Sequence, residues 1–179
     1  MNMYYIAIVL PHHLNEKVLK SKQYMLEQYN CTVGLKSPAH ITIIPPFWME
    51  PEKENSLIDD IDLLSNPISA FCIQTANFSA FKPRTIFIAV KENEHLKNVK
   101  EIADAYFIHK DYKIKEENRP FHPHITIATR DLFKKDFAEA WSYFENKEFL
   151  AQCQVEGLSL LRHNKKNWDV INTSQFKNL

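Results

Sequence analysis

The sequence predicts an α+β fold built as two similar lobes packed together, and three observations carry that reading. Strand-like and helix-like periodicities alternate along the 179 residues in an order that repeats at about half the chain length. The tetrapeptide His-Ile-Thr-Ile occurs twice, beginning at His40 and at His124, at the same place in that order. No linker-like or low-complexity run separates the halves, so one bilobal domain spanning 1–179 is expected, with duplicated halves of roughly 1–80 and 81–179.

The elements follow in order. Met3 to Leu10 is rich in Tyr, Ile and Val and stops at Pro11, so it reads as a strand. Leu14, Val18, Leu19, Met25, Leu26 and Tyr29 mark one face of a helix. Ile41 to Ile44 is a short strand that Pro45-Pro46 should end. Leu57, Ile58, Ile61 and Leu64 predict a second helix after Pro51, and Ile68 to Phe78 a third strand. The order then restarts with a strand over Arg84 to Val90. Asn93 is placed to cap a helix carrying Leu96, Val99, Ile102, Ala103, Tyr106 and Phe107. Ile125 to Thr129 is a short strand, and Asp131 is placed to cap a helix bearing Phe133, Phe137, Trp141 and Phe144. Ala151 to Leu161 and Trp168 to Phe176 form a hairpin around Asn164-Lys165-Lys166-Asn167.

Composition narrows the functions. Glycine occurs only at Gly34 and Gly157, where average usage would give roughly a dozen. G-x-G-x-x-G, G-x-x-x-x-G-K-[ST] and G-x-S-x-G are all absent, so any phosphate must be held without a glycine-rich backbone cradle. Lys+Arg and Asp+Glu both number 22, which disfavours a non-specific nucleic-acid coat but leaves room for a small or end-bound nucleotide. Cys31, Cys72 and Cys153 are isolated, so neither a disulfide frame nor a zinc ribbon is expected. The apolar N-terminus is short and lacks a basic start, and no apolar run reaches 18 residues. A soluble cytoplasmic protein, away from membranes and working as a monomer, is the expectation.

The repeated tetrapeptide carries the chemistry. Side chains at i and i+2 of a strand share a face. His40 and Thr42 therefore point one way and Ile41 and Ile43 the other, and the same holds for His124 and Thr126 against Ile125 and Ile127. Across a pseudo-two-fold axis, two His-Thr pairs would face each other over a cleft. One neutral imidazole can take a proton from water while the other, as imidazolium, gives one to a leaving oxygen. Threonine hydroxyls can donate to the non-bridging phosphate oxygens. This scheme needs no metal and no cofactor. It also needs no close backbone approach, which fits a chain nearly free of glycine.

The doubled His-x-Thr-x motif resembles that of the two-histidine phosphoesterase superfamily, which includes the bacterial 2′,5′-RNA ligase/2′,3′-cyclic phosphodiesterase family. Residues 3–11, 81–90 and 158–168 are similar to the family's first strand, its strand after the halfway point and its final hairpin, and residues 40–47 are similar to a bacterial branch with an aromatic just after the first motif. The resemblance implies two pseudo-symmetric lobes of mixed or antiparallel sheet with outer helices around a central cleft. It implies that His40 and His124 act as acid and base and that Thr42 and Thr126 bind phosphate. The substrate would be a small nucleotide with a cyclic phosphate, or an RNA end. In many members a basic residue follows the second motif by five; here Thr129 holds that place and Arg130 comes one later, with phosphate contact and surface ion pairing both open. Phe47, Trp48 and Tyr5 are candidates for stacking on a base, against core packing as the alternative, and Phe121 is read with the same caution. His122 with His124, and His12 with His13, lack a third convergent ligand, so no metal is expected. His163, Lys165 and Lys166 sit at the hairpin tip, either near a phosphate or in a solvated turn. Two rival functions remain: a module that binds a nucleotide or RNA end without turnover, and RNA 2′,5′-end joining.

Overall fold

A computed structural model describes residues 1–177. The chain runs through β1 (Asn2–Val9), α1 (His12–Tyr29), a 3-10 turn (Val33–Lys36), β2 (His40–Met49), a second 3-10 turn (Pro51–Lys53), α2 (Glu54–Ser65) and β3 (Phe71–Phe81). It continues through β4 (Thr85–Val90), α3 (Glu94–Phe107), β5 (His124–Ala128), α4 (Phe137–Phe144), β6 (Gln152–Val155), β7 (Gly157–His163) and β8 (Trp168–Gln175).

The strands form two four-stranded antiparallel sheets, ordered β2-β1-β7-β8 and β5-β4-β3-β6. This is the two-lobed α+β architecture the pattern predicts. Sheet membership crosses the chain midpoint: β3 belongs with β4, while β7 and β8 return to the first sheet. Each motif strand is an edge strand, β2 paired only with β1 and β5 only with β4.

The helices explain why the two edges meet. α1 leaves the first sheet and packs on β5 of the second, while α3 leaves the second and packs on β2 of the first. α2 covers β7 and β8, and α4 covers β3. The apolar stripe of α1, with Leu14, Val18 and Met25 buried, packs against β5 of the other lobe and joins the common core. This exchange sets β2 beside β5. Ile41, Ile43, Ile125 and Ile127 are each no more than 1% exposed and join one continuous core. Each contributes about 1.5–3 kcal/mol of burial free energy, enough to fix which face of its strand turns inward.

Most boundaries follow local chemistry. Asn93 caps α3, its Oδ1 accepting the Leu96 amide at 2.9 Å. α1 ends at Asn30 in the left-handed region (φ 54°), with the Asn30 and Cys31 amides donating to the Leu26 and Met25 carbonyls. β3 begins at Phe71 and ends at Phe81, later than the apolar run suggests.

Three expectations are corrected. Pro45-Pro46 does not end β2, which continues to Met49. An edge strand tolerates proline, and the register with β1 slips twice, between Ile6 and Ala7 and between Tyr4 and Ile6, so β2 carries extra residues there. The segment from Ala151 to Leu161 is two strands in different sheets: β6 pairs with β3, and β7, from Gly157, pairs with β1. Asp131 does not cap α4, which starts after Asp136. Instead its Oδ2 accepts the Thr32 and Val33 amides at 2.6 and 2.8 Å, tying the end of α1 to the end of β5.

Glycine also has a role the sequence did not suggest. A Cβ on Gly34 would stand 2.3 Å from the Ile127 carbonyl oxygen, and one on Gly157 2.4 Å from that of Ser174. The Gly34 contact presses the first 3-10 turn onto the backbone of β5, so close backbone approach is needed after all. Gly34→Ala is therefore expected to destabilise the fold by about 1–3 kcal/mol, read as a lowered urea midpoint at unchanged m-value. A midpoint equal to the parent's would show that the turn can retreat freely.

Candidate active site

Each motif strand delivers its imidazole and hydroxyl to the face opposite its isoleucines. A cavity of about 150 Å³ between the lobes is lined by Tyr5, His40 and Thr42 from the first sheet and by Thr126 from the second. Gly34, Ser37, Pro46, Thr129, Arg130 and Trp168 complete the lining with Val33. His124 lies two residues before Thr126 on the same face of β5, its ring packed beside Phe81 and Phe87 at centroid distances of 5.3 and 5.0 Å. A larger cavity of about 620 Å³, between α3 and residues 119–123, contains none of the four His-Thr side chains.

The two imidazoles share one hydrogen-bonding arrangement. His40 Nδ1 lies 2.7 Å from the Pro38 carbonyl oxygen, and His124 Nδ1 lies 2.7 Å from that of His122. A carbonyl only accepts, so each Nδ1 must carry the proton and donate. Nε2 is then the nitrogen left for chemistry on both rings. Because Nδ1 donates in both the neutral and the charged imidazole, protonation at Nε2 does not disturb the anchor.

Burial sets the charge state. It pushes the His40 imidazole down to about 4, against the Pro38 contact, and charges on Lys22 and His124 push it the same way. Burial also lowers His124, aided by a charge on His122 and opposed by the hydrogen bond to the His122 carbonyl. Both rings are thus held toward the neutral form, and a charge on His124 opposes charging of His40.

The remaining candidates separate. Arg130, just past the end of β5, lines the cavity and has no ion-pair partner among the described residues. Tyr5 lies along its wall, its hydroxyl 3.5 Å from His40 Nδ1 and its ring edge-on to Trp168 at 4.6 Å. Phe47 is a correction: it shares the inward face of Ile41 and Ile43 and is 6% exposed against Tyr4, a core residue rather than a stacking platform. Trp48 is 53% exposed on β2 and outside the cavity lining. Phe121 and His122 line the larger cavity. At the hairpin tip the Asn164 side chain accepts the Lys166 and Asn167 amides, making a self-contained turn. The hairpin reaches the cleft through Trp168, on which His163 packs at 4.9 Å. Sequence reasoning missed Gly34, Ser37 and Trp168 as cleft residues; only Gly34, as one of two glycines, carried a readable signal. Among the described residues no group of three or more His, Cys, Asp or Glu side chains is placed to hold a metal ion, and no helix is long and apolar enough to cross a membrane.

Solved structures share this architecture. TT0787 of Thermus thermophilus superposes with a TM-score of 0.72 at 18% identity, covering 99% of both chains. E. coli LigT complexed with 3′-AMP gives 0.68 at 16% identity over 98% of both. At those identities the likeness speaks for the fold, a two-lobed α+β protein. Among sequence relatives, a Bacillus mycoides (strain KBAB4) protein with a provisional phosphoesterase name is 23% identical over 126 residues, covering 69% of this chain and 70% of its own. A similarly named protein of Bacillus cytotoxicus is 24% identical over 139 residues, covering 76% and 77%. The 2′-5′ RNA ligase superfamily matches residues 15–167, and the chain belongs to that superfamily.

The depressed His40 has a consequence for stability. Its ordinary value is 6.5 and its folded value about 4, so between those pH values the unfolded chain binds a proton that the folded chain refuses. Stability from this group is present above pH 6.5 and is lost as pH falls toward 4. In His40→Gln, which cannot titrate, Tm should fall less than the parent's across that window; parallel curves would mean that His40 is not desolvated.

Proposed function

We propose that the protein hydrolyses a ribose 2′,3′-cyclic phosphate or a 2′,5′-phosphodiester by acid–base catalysis between His40 and His124. Membership of the superfamily supports a phosphoesterase-type enzyme at the coarser level. The observation that carries the finer reading is the matched pair of imidazoles, each with Nδ1 committed to a carbonyl two residues earlier and Nε2 left free.

In this scheme a neutral Nε2 removes a proton from water as its oxygen attacks phosphorus. The bond from phosphorus to the leaving ribose oxygen breaks, and the other imidazolium gives that oxygen its proton. The Thr42 and Thr126 hydroxyls donate to the non-bridging oxygens, where charge builds, and Arg130 adds a positive charge at the rim. Because both rings are held neutral in the free cleft, the acid acquires its proton as the anionic phosphate arrives, since a nearby negative charge favours the imidazolium. The superfamily is named for 2′-5′ RNA ligation, and joining by the reverse displacement would use the same four side chains.

His40→Ala and His124→Ala should each lower turnover of a 2′,3′-cyclic nucleotide by about 10²–10⁴-fold, with the far-ultraviolet circular dichroism of the parent retained. The parent's rate should persist in EDTA and show a bell-shaped pH profile. Near-parent hydrolysis by either variant, across several cyclic nucleotides, would overturn the proposal, as would tight nucleotide binding with no product detected by mass spectrometry.

A further inference from the structure

Lys22 breaks the pattern of the helix that carries it. The buried stripe of α1 runs Leu14, Val18, Lys22, Met25, so an ammonium stands where the periodicity calls for an apolar side chain. The residue is 4% exposed. Its Nζ donates to one group, the Ser37 carbonyl oxygen at 3.1 Å, and among the described residues it has no carboxylate partner. The other buried lysine, Lys100, behaves as a structural cation should, pairing with Asp104 at 2.5 Å. Burying an ammonium without a counter-charge is costly, and folded proteins ordinarily pair or neutralise it.

Its position gives the missing charge an identity. Ser37, to which it bonds, lines the His-Thr cavity, as does Gly34, and Lys22 Cγ would be 3.7 Å from a Cβ on Gly34. The ammonium therefore lies directly behind the turn that walls the cleft, near enough for its charge to be felt at His40. Burial lowers its own value to about 8, which leaves it mainly charged at neutral pH. The groups facing His40 are Tyr5 from β1, His124 and Arg130 from β5 and its end, and Lys22 from α1. None of them is anionic at neutral pH. A site walled by positive and neutral groups, with a buried uncompensated cation behind it, is complete only when an anion enters.

We infer that Lys22 is an electrostatic positioning residue of the cleft: from behind the 33–37 turn it supplies a fixed positive charge that attracts the substrate's phosphate. It touches neither the phosphate nor the leaving group. This inference rests on reading the cleft as a phosphate site.

Two substitutions separate the charge from the hydrogen bond. Lys22→Gln keeps a donor for the Ser37 carbonyl without the charge, and Lys22→Met removes both. Inorganic phosphate is titrated by calorimetry into the parent and each variant at low salt, and the His40 imidazole is titrated by NMR. Both variants should bind phosphate about tenfold more weakly, the His40 titration should move up toward its ordinary value in both, and Lys22→Met should melt no lower than the parent. If Lys22→Gln binds phosphate like the parent and leaves His40 unmoved, the lysine only holds the turn and the inference is wrong, whatever happens to Lys22→Met. If the parent binds phosphate and both variants bind equally well, this inference alone falls. If the parent binds no phosphate at either histidine, the reading of the cleft falls with it.

Discussion

The close packing of residues 33–36 against the backbone of β5 is the contact on which the site depends. Gly34 sits where any Cβ would strike the Ile127 carbonyl. The Asp131 carboxylate accepts the Thr32 and Val33 amides and holds the same turn from the far end of β5. α1 leads into this turn and buries its stripe on β5, and the chain leaves it into β2. One small segment thus fixes the spacing of two edge strands from different sheets. Without that spacing each His-Thr pair would be a polar spot on a separate surface. With it, Thr42 and Thr126 line one cavity.

Edge strands suit this task. A central strand spends both rows of backbone groups on neighbours, whereas β2 and β5 each have one partner and one free side. The free sides meet between the lobes, and the alternation of each strand directs isoleucine into the core and imidazole into the cleft. Both rings are anchored alike because each His opens its strand, and its Nδ1 reaches the carbonyl two residues earlier. The rings are therefore positioned by backbone, and the electrostatic state of the site is set by burial and by the cations around it.

Much of this was legible in the sequence. Period-two and period-3.6 patterns identified the strands and helices because each buries one face, and the repeated His-Ile-Thr-Ile contains His40, Thr42 and Thr126, which line one cavity. What the sequence hid were effects of long-range pairing. Pro45-Pro46 looks like a stop only if β2 has neighbours on both sides. The division at Glu156–Gly157 depends on which sheet each piece joins. Asp131 reads as a helix cap, yet its partners are 98 and 99 residues away. Trp168 reaches Tyr5 only through the order of β1, β7 and β8.

The central claim is that one phosphate is held between two matched His-Thr pairs. A crystal structure with inorganic phosphate in the cleft tests it most directly. The account predicts a single phosphorus site with Nε2 of both His40 and His124, and Oγ1 of both Thr42 and Thr126, at hydrogen-bond distance from its oxygens. Phosphate bound to only one of the two pairs, or two imidazoles too far apart to share one anion, would contradict it.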